Sequence, residues 1–114
     1  MEKAISKLAG LGVAGLVLAV VIGTTGFAGA AALTASLAIL GGPFGMLGGL
    51  AVLGIISIAA AAIAKYGIDQ IALGVVQKLL QQGKSKEQII SEINAFPIIS
   101  GDLKAKLRDF VNRA

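Results

Sequence analysis

The stretch LAGLGVAGLVLAVVIGTTGFAGAAALTASLAILGGPFGMLGGLAVLGIISIAAAAIA, Leu8 to Ala64, runs for 57 residues without a charged side chain. Half of the chain is therefore uncharged, and the charges collect at its two sides. Glu2, Lys3 and Lys7 come before the tract, and Lys65 opens everything charged that follows. The 50 residues that follow the tract, Lys65 to Ala114, carry too little polar surface to be expected to cover all of it. The reading is of a chain that works in or on a membrane.

Inside the tract the glycines and Pro43 mark pieces. Leu8 to Ile22 is a continuous apolar run of 15 residues, short of the roughly 20 that cross about 30 Å of hydrocarbon. Extension into Gly23-Thr24-Thr25 makes it long enough. Phe27 to Leu40 is a second piece, mostly alanine, with Thr34 and Ser36. Gly41-Gly42-Pro43 is the strongest break, because proline suits the first turn of a new helix. Phe44 to Ala64 follows as 21 residues of Leu, Ile, Val, Ala and Gly, ended by Lys65-Tyr66-Gly67. A single helix from Leu8 to Leu40 would be about 50 Å long, too long for one span, so a bend is expected near Gly23-Thr24-Thr25-Gly26. Lysines flank both ends of the tract. The positive-inside rule then places both termini on the cytoplasmic side and favours two crossings over three. Lys3 and Lys7, the apolar Leu8 to Ile22 and the small residues Ala28-Gly29-Ala30 imitate a signal peptide, but apolar character continues past the cleavage point, so no cleavage is expected.

Beyond Tyr66 the pattern changes. Ile68, Ile71, Ala72, Val75, Val76, Leu79 and Leu80 recur at helical spacing, and Gly83 stops that helix. Ser85 with Gln88 reads as a capping box for a second helix striped by Ile89, Ile90 and Ile93 and ended by Phe96-Pro97. Ser100 or Asp102 caps a third, striped by Leu103, Leu107, Phe110 and Val111. The fold expected is thus all-α: a Gly/Ala-rich hydrophobic helical hairpin in residues 1–65 and three short amphipathic helices in residues 66–114. Three such helices are marginal as an independent core and are expected to pack on something more: a membrane surface, the hairpin or a second subunit.

Small residues recur four apart in three rows. Gly15, Ala19 and Gly23 form the first, Gly26, Ala30, Thr34, Ala38 and Gly42 the second, and Gly45 and Gly49 the third. Residues four apart share a helix face, and small side chains there let two backbones approach, which is one of the few forces that associate helices in lipid. These ten are the candidate helix-packing residues, within one chain or between copies. The hydroxyls of Thr24, Thr25, Thr34, Ser36 and Ser57 are read as bonding back to their own helices rather than lining a polar path.

Little points to catalysis. The chain has no Cys and no His, which removes soft-metal sites, thiol nucleophiles and imidazole bases. Asp69, Glu87, Glu92, Asp102 and Asp109 fall on polar helix faces rather than paired within an apolar stretch. Lys104, Lys106, Arg108 and Arg113 do not share one face and are interrupted by Asp102 and Asp109, so they read as a solvated surface and not as a nucleic-acid patch. No cofactor is expected. The net charge of +4 suits an anionic lipid surface.

Gly41 to Leu50, Gly-Gly-Pro-Phe-Gly-Met-Leu-Gly-Gly-Leu, with the Ala/Gly-rich run before it, resembles the glycine-zipper segments of small bacterial membrane-active toxins. The plan of an apolar hairpin beside amphipathic helices is similar to pore-forming colicin domains, and it also resembles the helical membrane-executor domains of microbial programmed cell death. The resemblance implies a chain that inserts, forms homo-oligomers and breaches a lipid bilayer, as a toxin, a cell-death effector or a holin-like protein. The competing expectation is a structural or adaptor protein, anchored by its hairpin and binding a protein partner through its C-terminal helices. A third is a soluble assembly in which many copies bury the tract against one another.

Overall fold

The computed structural model describes residues 1–25, 49–95 and 101–114. The second apolar piece, the Gly41-Gly42-Pro43 break, Phe96-Pro97, Ser100 and six candidate packing residues (Gly26, Ala30, Thr34, Ala38, Gly42 and Gly45) lie outside these. The fold is all-α: every regular element among the described residues is a helix. The six are α1 (Glu2–Ala9), α2 (Val13–Thr25), α3 (Gly49–Tyr66), α4 (Ile68–Gln81), α5 (Lys86–Ala95) and α6 (Gly101–Arg113).

The residues ahead of the tract, which sequence reasoning took for a basic lead-in, form a helix with a buried stripe. Ala4, Ile5, Leu8 and Ala9 are the buried residues of α1, and Glu2 and Lys7 sit at the ends that favour their charges. The Leu8 to Ile22 run is likewise not one helical piece. It breaks at Gly10-Leu11-Gly12, where the Leu11 N–H donates to the Leu8 carbonyl (3.0 Å) and the Gly12 N–H to that of Ala9 (2.9 Å). Gly12 has φ +71°, a left-handed conformation in which glycine carries no Cβ penalty. The helix α2 then runs unbroken through Gly23 and Thr24 to Thr25, so the expected bend does not fall on these three residues, and Gly26 lies outside the described residues. Among the described residues no helix is long and apolar enough to cross a membrane. The 13 residues of α2 span about 20 Å.

The remaining boundaries follow the sequence grammar. Gly67, at φ +90°, separates α3 from α4. At the end of α4 the Gly83 N–H reaches the Leu80 carbonyl (3.1 Å) and the Lys84 N–H that of Leu79 (3.2 Å). With Gly83 at φ +98°, this is a complete Schellman motif. Ser85 and Gln88 make the reciprocal capping box of α5: the Gln88 N–H donates to Ser85 Oγ (3.1 Å) and the Ser85 N–H to Gln88 Oε1 (2.9 Å). Asp102 stands in the first turn of α6, which begins at Gly101.

The helix α2 is apolar on every side, so only a packed core or lipid can satisfy it. Here it is a core. It touches all five other described helices, and Leu16, Val17, Leu18, Ala19 and Val20 have 0% exposure. Around it lie α1, α3 and α4, with α5 and α6 packed on each other and closing the remaining side. The stripes point inward as expected: Ile71, Ala72, Val75, Val76 and Leu79 of α4, Ile89 and Ile93 of α5, and Leu107, Phe110 and Val111 of α6 are buried with α2 in one hydrophobic cluster. The short C-terminal helices thus gain the core that they lack alone, and α2 gains the polar cover that the sequence had seemed too short to provide.

Candidate functional site

The candidate site is α2 together with the close approaches that hold it. Gly15 lies under α1, so close that a Cβ there would fall on the main-chain carbonyl of Leu8 and 3.1 Å from its Cα. The tight turn at Gly10–Gly12 folds α1 back over α2, and only a residue without a side chain leaves room for the crossing. Gly23, two turns further on, faces α4 instead: its Cβ would stand 2.7 Å from Ile68 Cγ1 and 3.0 Å from Ile68 Cβ. Ala19 between them is fully buried. This first row of small residues meets two helices of its own chain, α1 at one end and α4 at the other. Gly49 begins α3.

A third close approach was not read from the sequence. Gly74, in the middle of α4, faces Ile5 of α1, whose Cδ1 fills the place a Cβ would take. Glycine inside a helix is unfavourable by about 0.5–1 kcal/mol relative to alanine, so an interior glycine between Leu73 and Val75 was itself a signal of close packing. Gly74 stands outside the uncharged tract that holds the small-residue rows. The stripe Ala4, Ile5, Leu8, Ala9 was equally legible as helical spacing in what looked like a flank. Gly54, by contrast, is exposed with nothing within 4 Å of a Cβ.

Polar groups near α2 are few and satisfied. The Thr24 hydroxyl donates back to the carbonyls of Val20 (2.9 Å) and Val21 (3.1 Å) of its own helix, the arrangement expected for threonine in an apolar helix. No buried side-chain nitrogen or oxygen among the described residues lacks a partner. Ser57 is exposed on α3, and the side chains of Thr25, Thr34 and Ser36 lie outside the description. Charges are confined to the outer surface. Arg113 lies 3.0 Å from Asp109 on its own helix and 3.8 Å from Asp69 at the start of α4, and Lys84 pairs with Glu92 at 2.9 Å. The Arg113 guanidinium also lies 5.0 Å from the ring of Phe110. The described residues hold no group of three or more His, Cys, Asp or Glu that could bind a metal ion.

Among the described residues no cluster of metal-binding side chains and no unpartnered buried polar side chain accompanies α2. What the arrangement offers is an uncharged helix enclosed by the amphipathic α1, α4, α5 and α6, whose charged side chains turn outward, and by α3, which is uncharged up to Lys65. Comparison with protein-family models, curated proteins and solved structures found no match to this chain.

Proposed function

We propose that the protein is a membrane-inserting, self-associating helical protein that permeabilises a bilayer without catalysing a reaction, and that the bundle is the state in which it keeps its insertion element covered. One observation carries this: the helix with no charged residue and no exposed side chain between Leu16 and Val20 is the one at the centre. Magnitudes favour a membrane trigger. Exposing the large apolar side chains Leu16, Val17, Leu18, Val20, Val21 and Ile22 to water costs about 1.5–3 kcal/mol each. Together that is about 10–20 kcal/mol, as large as the whole stability of a typical domain. Lipid tails are as apolar as leucine, so transfer from core to bilayer carries almost none of this cost. The bundle therefore stays shut in water and has somewhere to go in lipid.

The Gly10–Gly12 turn fits such a change. If it straightens, Leu8 to Thr25 becomes 18 continuous uncharged residues, about 27 Å of helix against about 30 Å of hydrocarbon. On this reading the Gly/Ala-rich tract inserts as a hairpin of two crossings with both flanks left on the cytoplasmic side, and its small-residue rows pack copies into an oligomer. Purified protein added to dye-loaded liposomes should release the dye, with oligomers recoverable by crosslinking. Tight binding to the liposomes without release would sink permeabilisation and favour the anchor or adaptor reading.

A further inference from the structure

Lysines from the two flanks of the uncharged tract, Lys3 and Lys65, 62 residues apart in sequence, meet at one place on the surface. A shallow groove of about 230 Å³ opens between the first turn of α1 and the last turns of α3, with Lys3 and Lys65 both at its edge. Its floor is apolar, built by residues such as Ala4 and Ile58, and Met1 and Tyr66 complete the lining. Three features converge here. Met1, 47% exposed, is the one large hydrophobic side chain exposed among the described residues. Tyr66 is the only tyrosine of the chain, and its ring lies 5.2 Å from the Lys65 ammonium. No carboxylate lines the groove, and neither lysine is within ion-pair distance of one. Of the nearest acids in sequence, Asp69 faces Arg113, and Glu2 is exposed on α1 and not among the lining residues.

We propose that this groove is the face by which the folded bundle docks on a membrane, taking the phosphate of an anionic phospholipid headgroup between Lys3 and Lys65. An ammonium pair supplies the charge complement, since basic residues near an anionic bilayer each add to binding. The phenol of Tyr66 is suited to the headgroup level, where amphipathic rings collect. The Met1 side chain and the alanine-rich floor give the glycerol and first methylenes an apolar seat. Docking by this face sets the start of α1 and the end of α3 on the bilayer together. The uncharged tract between them is then held with both of its flanks on one side, the arrangement that the insertion proposed above requires. The inference extends that reading, but docking and leakage are separate observations.

The test is flotation of the full chain with vesicles of phosphatidylcholine alone or mixed with phosphatidylglycerol. Lys3→Gln with Lys65→Gln is compared with Lys106→Gln and Arg108→Gln, which remove the same charge from α6. The groove pair should weaken binding to the anionic vesicles roughly 30-fold, at roughly fivefold per lysine, with the α6 pair close to wild type. Equal losses from both pairs would mean diffuse attraction to charge and would overturn the groove. A second measurement needs no variant. With no Trp in the chain, ultraviolet emission comes from Tyr66, and acrylamide should quench it less once anionic vesicles are bound. Unchanged quenching on bound vesicles would place the docking face elsewhere. Wild-type leakage with an indifferent groove pair would refute this proposal alone. Groove-dependent binding without leakage would refute permeabilisation and leave the docking face standing.

Discussion

Replacing Gly15 by alanine asks whether the α1–α2 crossing is as close as it stands in the fold. The added methyl falls on main-chain atoms of Leu8, which cannot swing aside as a side-chain tip could. Overpacking of this kind costs about 1–3 kcal/mol. Alanine recovers about 0.5–1 kcal/mol through its helix propensity. The net loss expected is about 0.5–2 kcal/mol if α1 shifts and reseats. If α1 lifts off, the burial of Ile5 and Leu8 is lost as well, adding about 3–6 kcal/mol. Gly54→Ala is the internal control. It makes the same chemical change in an exposed helix interior with open space around the Cβ, so it should stabilise by about 0.5–1 kcal/mol. Denaturant unfolding followed by far-UV circular dichroism measures both, and in thermal unfolding a loss of about 1 kcal/mol should appear as a melting point lower by about 4–8 °C. The two substitutions must move stability in opposite directions. If Gly15→Ala is neutral or stabilising, α1 does not cross α2 as described, and the sequestered-helix argument loses one wall.

Two further substitutions probe the rest of the bundle. Ser85→Ala removes half of the capping box of α5 and should cost about 1 kcal/mol in the same unfolding assay, with Ser85→Asn retaining most of the stability. Phe110→Ala empties the largest fully buried side-chain site, on α6, and should cost about 3–5 kcal/mol. By loosening one wall around α2, it should also lower the protein concentration at which liposomes leak, and a rise in that concentration would argue against release of α2 as the limiting event.

The C-terminal half of the fold was legible because its helices are amphipathic: a stripe at 3.6-residue spacing names the buried face before any partner is known. Gly67, Gly83 and the Ser85–Gln88 pair were legible for a different reason, since each supplies a backbone conformation or a capping bond that few other residues can. The N-terminal half was harder. An all-apolar helix such as α2 has no stripe, so its sequence says that every face is buried without saying by what, and core and bilayer look alike. The turn at Gly10–Gly12 was hidden by the same blandness, because glycines in an apolar run are as natural in a packed membrane helix as in a bend. Six of the eight residues of α1, Glu2 to Lys7, were read as a flank for want of length, and Leu8 and Ala9 as the start of the apolar run. Gly15 and Gly23 could be singled out by their spacing, but spacing could not say that one would meet Leu8 and the other Ile68 within the same chain. The docking groove was invisible for a simpler reason, as Lys3 and Lys65 become neighbours only when α1 and α3 pack.

If α2 must leave the bundle for the protein to act on a membrane, a reversible lock between α2 and α4 should stop it. A Cβ at Gly23 would stand 3.0 Å from that of Ile68, near enough to the roughly 3.5–4.5 Å of a disulfide for a small adjustment to close one. The chain has no other cysteine to interfere. Gly23→Cys with Ile68→Cys should therefore crosslink on oxidation. The oxidised protein should bind liposomes and release no dye, and reduction on the liposome surface should start the release. Equal leakage from the oxidised and reduced forms would show that α2 stays in place and would contradict the account.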